Sequence, residues 1–292
     1  MYKLRNISCS YPSSIRPVLE IDELDISDNE IVFFVGPSGV GKSTILETLG
    51  LMNNTIKSEK DSIFDFQIDG KRLDMRNIWT QSEVTLSKIR NDFFSFIFQE
   101  NNLFHSLSGM KNAITSSIIQ GRSTKESINR VNKVREQILS DINLDKKTND
   151  FQITSISGGQ RQRLSFIRAI VTDYKVLFAD EPTGNLDWLN AELLMKFLID
   201  NMHQDSSAII VSHDIDLALN FADKIIYLEK KSEIINGKPY YYGQINKETV
   251  YVKRSQDKTF WQNDRNKYST NDLKKLIRDR FRYADRMTKA ID

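Results

Sequence analysis

Residues 36 to 43 read Gly36-Pro37-Ser38-Gly39-Val40-Gly41-Lys42-Ser43, which fits the pattern GxxxxGK[ST]. The preceding residues 31–35 are continuously apolar, as in a central parallel strand that is covered on both faces. Residues 44–49 have a helical composition, so the glycine-rich stretch lies at a strand-to-helix turn. Glycines let the backbone amides point inward there, and a helix start adds roughly +0.5 charge. This stretch therefore predicts a phosphate-binding loop.

A phosphate-binding loop of this kind needs a second metal ligand from a neighbouring strand. Residues 176–179 are apolar and are followed directly by Asp180 and Glu181. In α/β sheets, ligands bind at the carboxyl ends of strands, where these two acids are expected. Lys42 is predicted to pair with the β and γ phosphates, and the Ser43 hydroxyl to ligate Mg²⁺. Asp180 is predicted to hold Mg²⁺ through water, and Glu181 to polarise an attacking water as general base.

Between these two motifs, residues 156 to 163 read Ile156-Ser157-Gly158-Gly159-Gln160-Arg161-Gln162-Arg163. Ser157 and the amides of the two glycines are expected at the start of a helix, which makes a second anion-binding helix end. Here the sequence resembles the ABC ATPase family, whose signature is LSGGQ followed by a basic helix, with Ile156 in place of the usual Leu. The resemblance implies ATP and Mg²⁺ as cofactors. It also implies a head-to-tail dimer, in which the signature of one subunit faces the ATP of the other.

The resemblance extends over roughly residues 1 to 230 and implies roles for four further positions. Gln99 matches the Q-loop glutamine, which contacts Mg²⁺ and the attacking water beside the coupling surface. Asn185-Leu186-Asp187 matches the D-loop at the dimer interface. His213 matches the switch histidine at the γ-phosphate. Tyr11 matches the aromatic residue that stacks on adenine, and packing at a turn is its alternative role.

These interpretations define three sets of predicted site residues. The catalytic set is Glu181, His213, Gln99 and Lys42, and the metal set is Ser43, Gln99 and Asp180. The nucleotide-binding set is Tyr11, Gly36, Pro37, Ser38, Gly39, Val40, Gly41, Lys42, Ser43, Thr44, Ser157, Gly158, Gly159, Gln160 and Asp187.

Alternating strand and helix patterns predict an α/β fold. The expected architecture is a P-loop NTPase core with a parallel sheet, an N-terminal antiparallel β subdomain and a helical signature subdomain. The antiparallel layer comes from apolar runs at 2–10 and 18–26. The cassette is predicted to cover residues 1–245, with the helical subdomain at about 100–168 and a regular helix from 125 to 144.

The bulk composition excludes several classes of function. Lysine and arginine number 41 against 39 acidic residues, so the overall charge does not favour a nucleic-acid partner. Cys9 is the only cysteine, which excludes an intrachain disulfide and favours a reducing compartment. No run of 18 apolar residues and no secretion signal is found, so the chain is expected to be cytoplasmic rather than membrane-spanning.

The stretches 182–187 and 98–104 resemble the branch of lipoprotein-release, macrolide-efflux and cell-division ATPases. This resemblance implies a transport-coupled ATPase subunit that drives separate integral membrane permease subunits by export, lipid or lipoprotein extraction, or mechanical coupling. A second ATPase subunit, expected to be identical, completes the dimer. The assembly is expected on the cytoplasmic face of the inner membrane. A soluble ABC ATPase that acts on nucleic acid or ribosomes is the alternative, and a regulatory binder that never hydrolyses ATP is a third possibility.

Residues 246–292 form a basic extension of the predicted cassette. From residue 253 onward there are 12 basic and 6 acidic residues, whereas the remainder of the chain is slightly acidic. Apolar residues at helical spacing predict an amphipathic helix over 271–291. This helix can pack on its own cassette or on the second subunit, or it can dock on a partner or an anionic membrane surface. The sequence leaves these alternatives open.

Overall fold

The computed structural model describes residues 1–12, 14, 16–139, 153–184, 186–235, 237–254 and 260–289. In these residues strands and helices alternate along the chain, as the sequence predicts. The first part of the chain contains β1 (Tyr2–Cys9), β2 (Leu19–Ile26), β3 (Ile31–Val35), α1 (Lys42–Leu49), β4 (Ile56–Ile68), β5 (Lys71–Asp74), α2 (Glu83–Phe93), β6 (Phe94–Ile97), α3 (Gly109–Ile119) and α4 (Thr124–Ile138). The second part contains α5 (Gly158–Ile170), β7 (Val176–Asp180), α6 (Trp188–Asp200), β8 (Ser207–Ser212), α7 (Ile215–Phe221), β9 (Lys224–Tyr227), β10 (Glu229–Ile235), β11 (Lys238–Ile245), β12 (Val250–Arg254), β13 (Phe260–Gln262), β14 (Lys267–Ser269) and α8 (Thr270–Lys289).

The chain divides into two compact units. The first comprises Met1–Leu86 with Ala208–Asp292, and the second comprises Ser87–Ser207. The first unit contains the phosphate-binding loop and both chain ends, and the second contains the signature helix α5. The predicted helical subdomain at about 100–168 lies inside the second unit, which also includes β6, β7 and α6.

Two sheets build the first unit. One has the order β10-β11-β2-β1-β4-β5 and is antiparallel except where β11 runs parallel to β2. The other runs β14-β13-β12-β9-β3-β8, and β3 pairs in parallel with both β8 and β9. The predicted antiparallel N-terminal layer and parallel core strands are therefore confirmed.

The sequence pattern predicts a strand over residues 62–68, whereas β4 begins six residues earlier, at Ile56. Residues 57, 59, 60 and 61 are exposed or half-exposed and polar, so no hydrophobic alternation marks this part of the strand. It pairs with β1 through backbone hydrogen bonds, with an irregularity between Arg5 and Ile7. Backbone pairing therefore extends β4 beyond the region that side-chain pattern reveals.

The basic extension adds β12, β13, β14 and α8 to the first unit. β12 pairs antiparallel with β9, and β13 and β14 follow as a meander. Tyr251 of β12 and Trp261 of β13 are fully buried, as are Leu273 and Ile277 of α8. α8 thus packs on its own unit through the apolar stripe that the sequence predicts. The predicted helix end at residue 291 lies outside the described residues, as do residues 140–144 of the predicted helix 125–144.

The second unit pairs β6 with β7 in parallel and surrounds them with helices. Phe96 stacks on Phe178 across this pair, with ring centroids 5.2 Å apart. Helix α5 packs against α3, α4 and α6. Among the described residues, no helix combines the length and apolar character needed to span a bilayer.

Candidate functional site

The phosphate-binding loop connects β3 to α1 in the first unit. Gly39 and Gly41 have φ of +72° and +93°, in the left-handed region that only glycine enters freely. At Gly36, an added Cβ would come within 2.9 Å of Val40 Cγ1 and 3.0 Å of the Leu228 carbonyl oxygen. The loop is therefore compact, and each glycine has a steric reason. This geometry fits a backbone cradle for phosphate oxygens.

The side chains that follow the loop lie at the start of α1. Lys42 Nζ donates hydrogen bonds to the carbonyl oxygens of Gly36 at 2.9 Å and Pro37 at 3.1 Å. Its ammonium group is therefore held against the first two residues of the loop. Ser43 is exposed at the first turn of α1, and Thr44 is buried beneath it.

Tyr11 is anchored to α1 through its hydroxyl group. The Tyr11 hydroxyl donates to Glu47 Oε2 at 2.9 Å and lies 3.2 Å from Thr44 Oγ1. Partial burial is the main cause of its raised pKa, so the phenol stays protonated at neutral pH. These contacts fix the ring beside the helix that follows the phosphate-binding loop.

His213 lies next to the loop through strand pairing. In the parallel pair β3 and β8, Val35 is directly opposite Ser212. The loop starts at the residue after Val35 and His213 is the residue after Ser212, so both leave the same edge of the sheet. Asp214 then caps α7 by accepting hydrogen bonds from the amides of Asp216 at 2.9 Å and Leu217 at 3.0 Å. Tyr11, the phosphate-binding loop and His213 are thus brought together in the first unit.

The predicted acids and Gln99 are brought together in the second unit. Ile97 of β6 is opposite Ala179 of β7, so the segments that carry Gln99 and Asp180 leave neighbouring strand ends. Glu181 has φ of +43°, a left-handed conformation that costs a residue with a Cβ about 1–2 kcal/mol. Such strain is found at functional sites, where the surrounding structure holds it.

The signature motif starts helix α5 with a reciprocal cap. Ser157 Oγ accepts from the Gln160 amide at 3.2 Å, and Gln160 Oε1 accepts from the Ser157 amide at 2.9 Å. The Ser157 side chain satisfies the Gln160 amide, the third of the helix. The amides of Gly158 and Gly159 come before it, in the first turn, where backbone amides have no acceptor within the helix. Ser157 and Gly158 are exposed. The first-turn amides of the motif therefore lie at an exposed helix start, where the sequence predicts an anion-binding site.

Asp187 of the D-loop caps helix α6. Its Oδ1 accepts from the Asn190 amide at 3.0 Å and its Oδ2 from Asn190 Nδ2 at 2.7 Å. These hydrogen bonds lower the pKa of the Asp187 carboxyl. Leu186 lies against Gly159, because a Cβ on that glycine would be 3.7 Å from Leu186 Cδ2. The D-loop and the signature are neighbours in the second unit, and Asn185 lies outside the described residues.

The predicted metal ligands are chemically suited to Mg²⁺ in each unit taken by itself. The first unit supplies the Ser43 hydroxyl, and the second supplies the Asp180 carboxylate and the Gln99 amide oxygen. All three are hard oxygen donors of the kind that Mg²⁺ takes alongside phosphate oxygens.

Three residues that position the site were not predicted. Arg168 and Asn112 hold the segment after Gln99 by hydrogen bonds, and Gly243 lies against Val40 of the phosphate-binding loop. The one available signal for Arg168 is a lone charge among the apolar residues of a helix. Gly243 lies about two hundred residues after the loop and carries no motif.

Comparison with known families and proteins identifies relatives of this chain. The family model described as ABC transporter matches residues 19–184. The phosphonates import ATP-binding protein PhnC 2 of Haloarcula marismortui is 33% identical over 258 residues, which cover 86% of this chain and 89% of that protein. The macrolide export ATP-binding/permease protein MacB of Shewanella sp. is 35% identical over 222 residues, which cover 76% of this chain and 31% of that protein.

Solved structures show the same fold. The dimeric post-hydrolysis structure of the ATP-binding cassette MJ0796, bound to ADP and Pi, has a TM-score of 0.66 and 26% identity, and the match covers 87% of this chain and 100% of that one. The sequence of MJ0796, an uncharacterized ABC transporter ATP-binding protein from Methanocaldococcus jannaschii, is 32% identical over 232 residues, 78% of this chain and 93% of that protein. The motifs, the fold and these relatives agree, and the chain belongs to the ABC transporter family, with the fold of its ATP-binding cassettes.

Proposed function

We propose that this chain is the ATP-binding and ATP-hydrolysing subunit of an ABC transporter complex. The observation that carries the proposal is the presence of two helix starts suited to phosphate, at Lys42 of α1 and at Gly158 of α5. A nucleotide needs only one such site in a monomer. Two of them in one chain are explained by a dimer in which each ATP lies between α1 of one subunit and α5 of the other.

In this proposal each functional side chain has a defined task. Lys42 neutralises the β and γ phosphates. Glu181 accepts a proton from the attacking water, while Gln99 and His213 orient that water and the γ-phosphate. Mg²⁺, held by Ser43, Asp180 and Gln99, supplies charge stabilisation on the phosphate oxygens when bound. Tyr11 provides the adenine platform, because its hydroxyl is already anchored to Glu47.

The second subunit of the dimer is proposed to be another copy of this chain. Lys42, Gln99, Asp180, Glu181 and His213 are all present, so both composite sites of a homodimer would be competent. The MJ0796 cassette, to which this chain is similar, is dimeric in its solved structures. Ser157, Gly158, Gly159, Gln160 and Asp187 would complete the site of the opposite subunit.

A groove beside the Q-loop is the proposed docking site for a transmembrane permease subunit. It has a volume of 440 Å³ and is lined by both polar and apolar residues, and Phe96, Phe98 and Ile119 are among the apolar ones. Phe104 and Ile119 are 52% and 69% exposed at its rim. Exposed apolar side chains beside polar ones at a surface groove are typical of sites that bind a protein partner. Through this partner the subunit would attach peripherally to the cytoplasmic face of the inner membrane.

We further propose that residues 1–245 are the cassette and 246–292 an added element. The contacts of α8 support packing on the cassette as its primary role. Lys274 and Arg278 of α8 bind Asp216 of α7 at 2.5 and 3.1 Å, and Phe281 meets Tyr227 edge to face. The apolar stripe is therefore covered in the described part of α8, whose exposed face carries both basic and acidic side chains.

The Glu181→Gln variant tests the reaction. It preserves shape and removes the base, so ATP binding is retained while turnover falls by about a hundredfold or more. Gel filtration with ATP would show a stabilised dimer. Steady-state hydrolysis equal to that of the wild type would reject Glu181 as the base.

A pull-down from detergent-solubilised membranes, using the same variant with ATP, tests the partner. A co-purifying multi-span membrane protein supports the transporter assignment. Ribosomes or DNA in its place would establish the alternative of a soluble ABC ATPase, which the transporter relatives do not favour. Wild-type protein without ATP is the control for retention that does not depend on the nucleotide.

A further inference from the structure

Helix α5 carries a buried arginine that donates hydrogen bonds to the segment after Gln99. Arg168 is 7% exposed, and its guanidinium reaches two main-chain carbonyl oxygens, with Nη1 2.7 Å from Asn102 O and Nη2 2.7 Å from Asn101 O. Burial lowers its pKa, yet a guanidinium remains charged in proteins. Hydrogen bonds from a charged donor are stronger than neutral ones, and more so where water is excluded.

The segment that Arg168 binds, Asn101 and Asn102, has an unusual backbone conformation. Asn101 and Asn102 have φ of 34° and 43°, so two consecutive residues are left-handed. Asparagine tolerates this conformation better than other residues with a Cβ, but each position still needs outside support. Their carbonyl oxygens point to one side, where the planar guanidinium can bind both at once. A lysine has a single ammonium group and cannot reproduce this paired geometry.

The same segment is held at its other end by helix α3. Asn112 is fully buried, and its side chain accepts from the Phe104 amide at 2.8 Å and donates to the Phe104 carbonyl at 3.0 Å. The Asn101 amide donates to the Phe98 carbonyl at 3.1 Å, which closes the turn that contains Gln99. The Q-loop is thus attached to α5 through Arg168 and to α3 through Asn112.

We infer that Arg168 is a positioning residue for ATP hydrolysis, which fixes Gln99 by joining its loop to the signature helix. The inference rests on the proposed function, in which Gln99 orients the attacking water. Arg168 and Gln160 lie eight residues apart on one continuous helix, about 12 Å along its axis. A displacement of the Q-loop is therefore passed to the signature, and a displacement of the signature to the Q-loop.

Three full-length variants test the inference: Arg168→Lys, Arg168→Met and the control Arg130→Met. Arg130 lies in the same unit and donates to the Val171 carbonyl at 3.2 Å, away from the Q-loop. We expect Arg168→Lys to lower kcat about tenfold, since small misplacements of a catalytic group have effects of this size or larger. The Kd for a fluorescent ATP analogue should change less than about twofold, because the substitution leaves the residues that bind ATP in the ground state unchanged. Arg130→Met should leave both quantities near wild type.

A double-mutant cycle with Gln99→Ala separates positioning from general damage. If Arg168 acts through Gln99, then Arg168→Lys in the Gln99→Ala background lowers kcat by less than about twofold. Fully multiplicative losses would overturn the inference, as would wild-type kcat in Arg168→Lys. Should Arg168→Met fail to fold, the lysine variant still decides.

Hydrogen exchange gives a readout that is independent of turnover. Amides of residues 99–104 should exchange about tenfold faster in Arg168→Lys than in wild type, because local opening becomes easier. Unchanged exchange in this segment would overturn the inference. An inactive wild-type protein would instead refute the proposed function, and the exchange experiment would still test the arginine.

Discussion

Gly243 of β11 lies against the carbonyl oxygen of Val40, so closely that a Cβ on residue 243 would overlap that oxygen. The same Cβ would be 3.1 Å from Leu19 Cδ1. Val40 belongs to the phosphate-binding loop, and its carbonyl cannot retreat without moving the loop. A strand some two hundred residues downstream thus packs directly against the phosphate-binding loop.

Gly243→Ala should displace the phosphate-binding loop. We expect a loss of stability of about 1–3 kcal/mol, typical of overpacking, and at least about tenfold weaker ATP binding. Urea unfolding and titration with a fluorescent ATP analogue measure the two effects. Gln244→Ala, at the adjacent and partly exposed position, is the control and should change neither quantity appreciably. Wild-type ATP affinity in Gly243→Ala would show that the loop tolerates the displacement.

The two functions of Tyr11 can be separated by substitution. Phenylalanine keeps the ring but loses the hydrogen bond to Glu47, whereas alanine also removes the platform for adenine. If the ring stacks on adenine, Tyr11→Ala should raise the KM for ATP about tenfold, since stacking on a base contributes about 1–3 kcal/mol. Tyr11→Phe should raise it less than about threefold, since a single hydrogen bond contributes little net energy. Equal KM values in the two variants would leave Tyr11 with the packing role only.

Helix α8 should contribute to stability through its buried stripe. Ile277 is fully buried, so Ile277→Ala is expected to lower the free energy of unfolding by about 2–4 kcal/mol. Lys275 is exposed on the opposite face, and Lys275→Ala should change stability by less than about 0.5 kcal/mol. Thermal and urea unfolding measure both. A neutral Ile277→Ala would mean that α8 does not pack on the first unit in solution.

Cys9 should be unreactive in the folded protein. Burial raises the pKa of its thiol to about 11, while a thiol in an unfolded chain has a pKa of about 8.5. Between these pH values the folded state keeps a proton that the unfolded state has released, so the free energy of unfolding falls as pH rises from about 8.5 to 11. Cys9→Ala should flatten this pH dependence.

Alkylation with iodoacetamide provides the direct measurement. At pH 8 the native protein should label orders of magnitude more slowly than the same protein in urea, because the thiolate is the reactive form. Rapid labelling under native conditions would contradict the burial of Cys9 in β1, where its Sγ lies 3.8 Å from Thr48 Oγ1 of α1.

Much of the site could be predicted because its chemistry lies in contiguous motifs. The loop from Gly36 to Ser43, the acids after β7 and the cap at Ser157 are each formed by neighbouring residues whose types determine local backbone and charge. The fold class followed from apolar strands such as β3, whose hydrophobic run reflects coverage on both faces.

Other features had no local signature. Helix α2 and strands β12 to β14 were not predicted, since they are short, polar or interrupted in pattern. Trp261 and Tyr251 are buried because β12 pairs with β9. The sequence around residue 250 carries no pattern that predicts this pairing.

The sequence by itself determined which groups can bind phosphate, metal and water, because those properties belong to side chains and to short backbone segments. Only the tertiary structure decided that Gly243 borders Val40 and that Arg168 holds the loop after Gln99. The same is true of α8, whose stripe could equally have met a partner or a membrane but covers its own unit. Contacts of this kind depend on the distance between residues that are far apart in the chain, and that distance is set by strand register and helix packing.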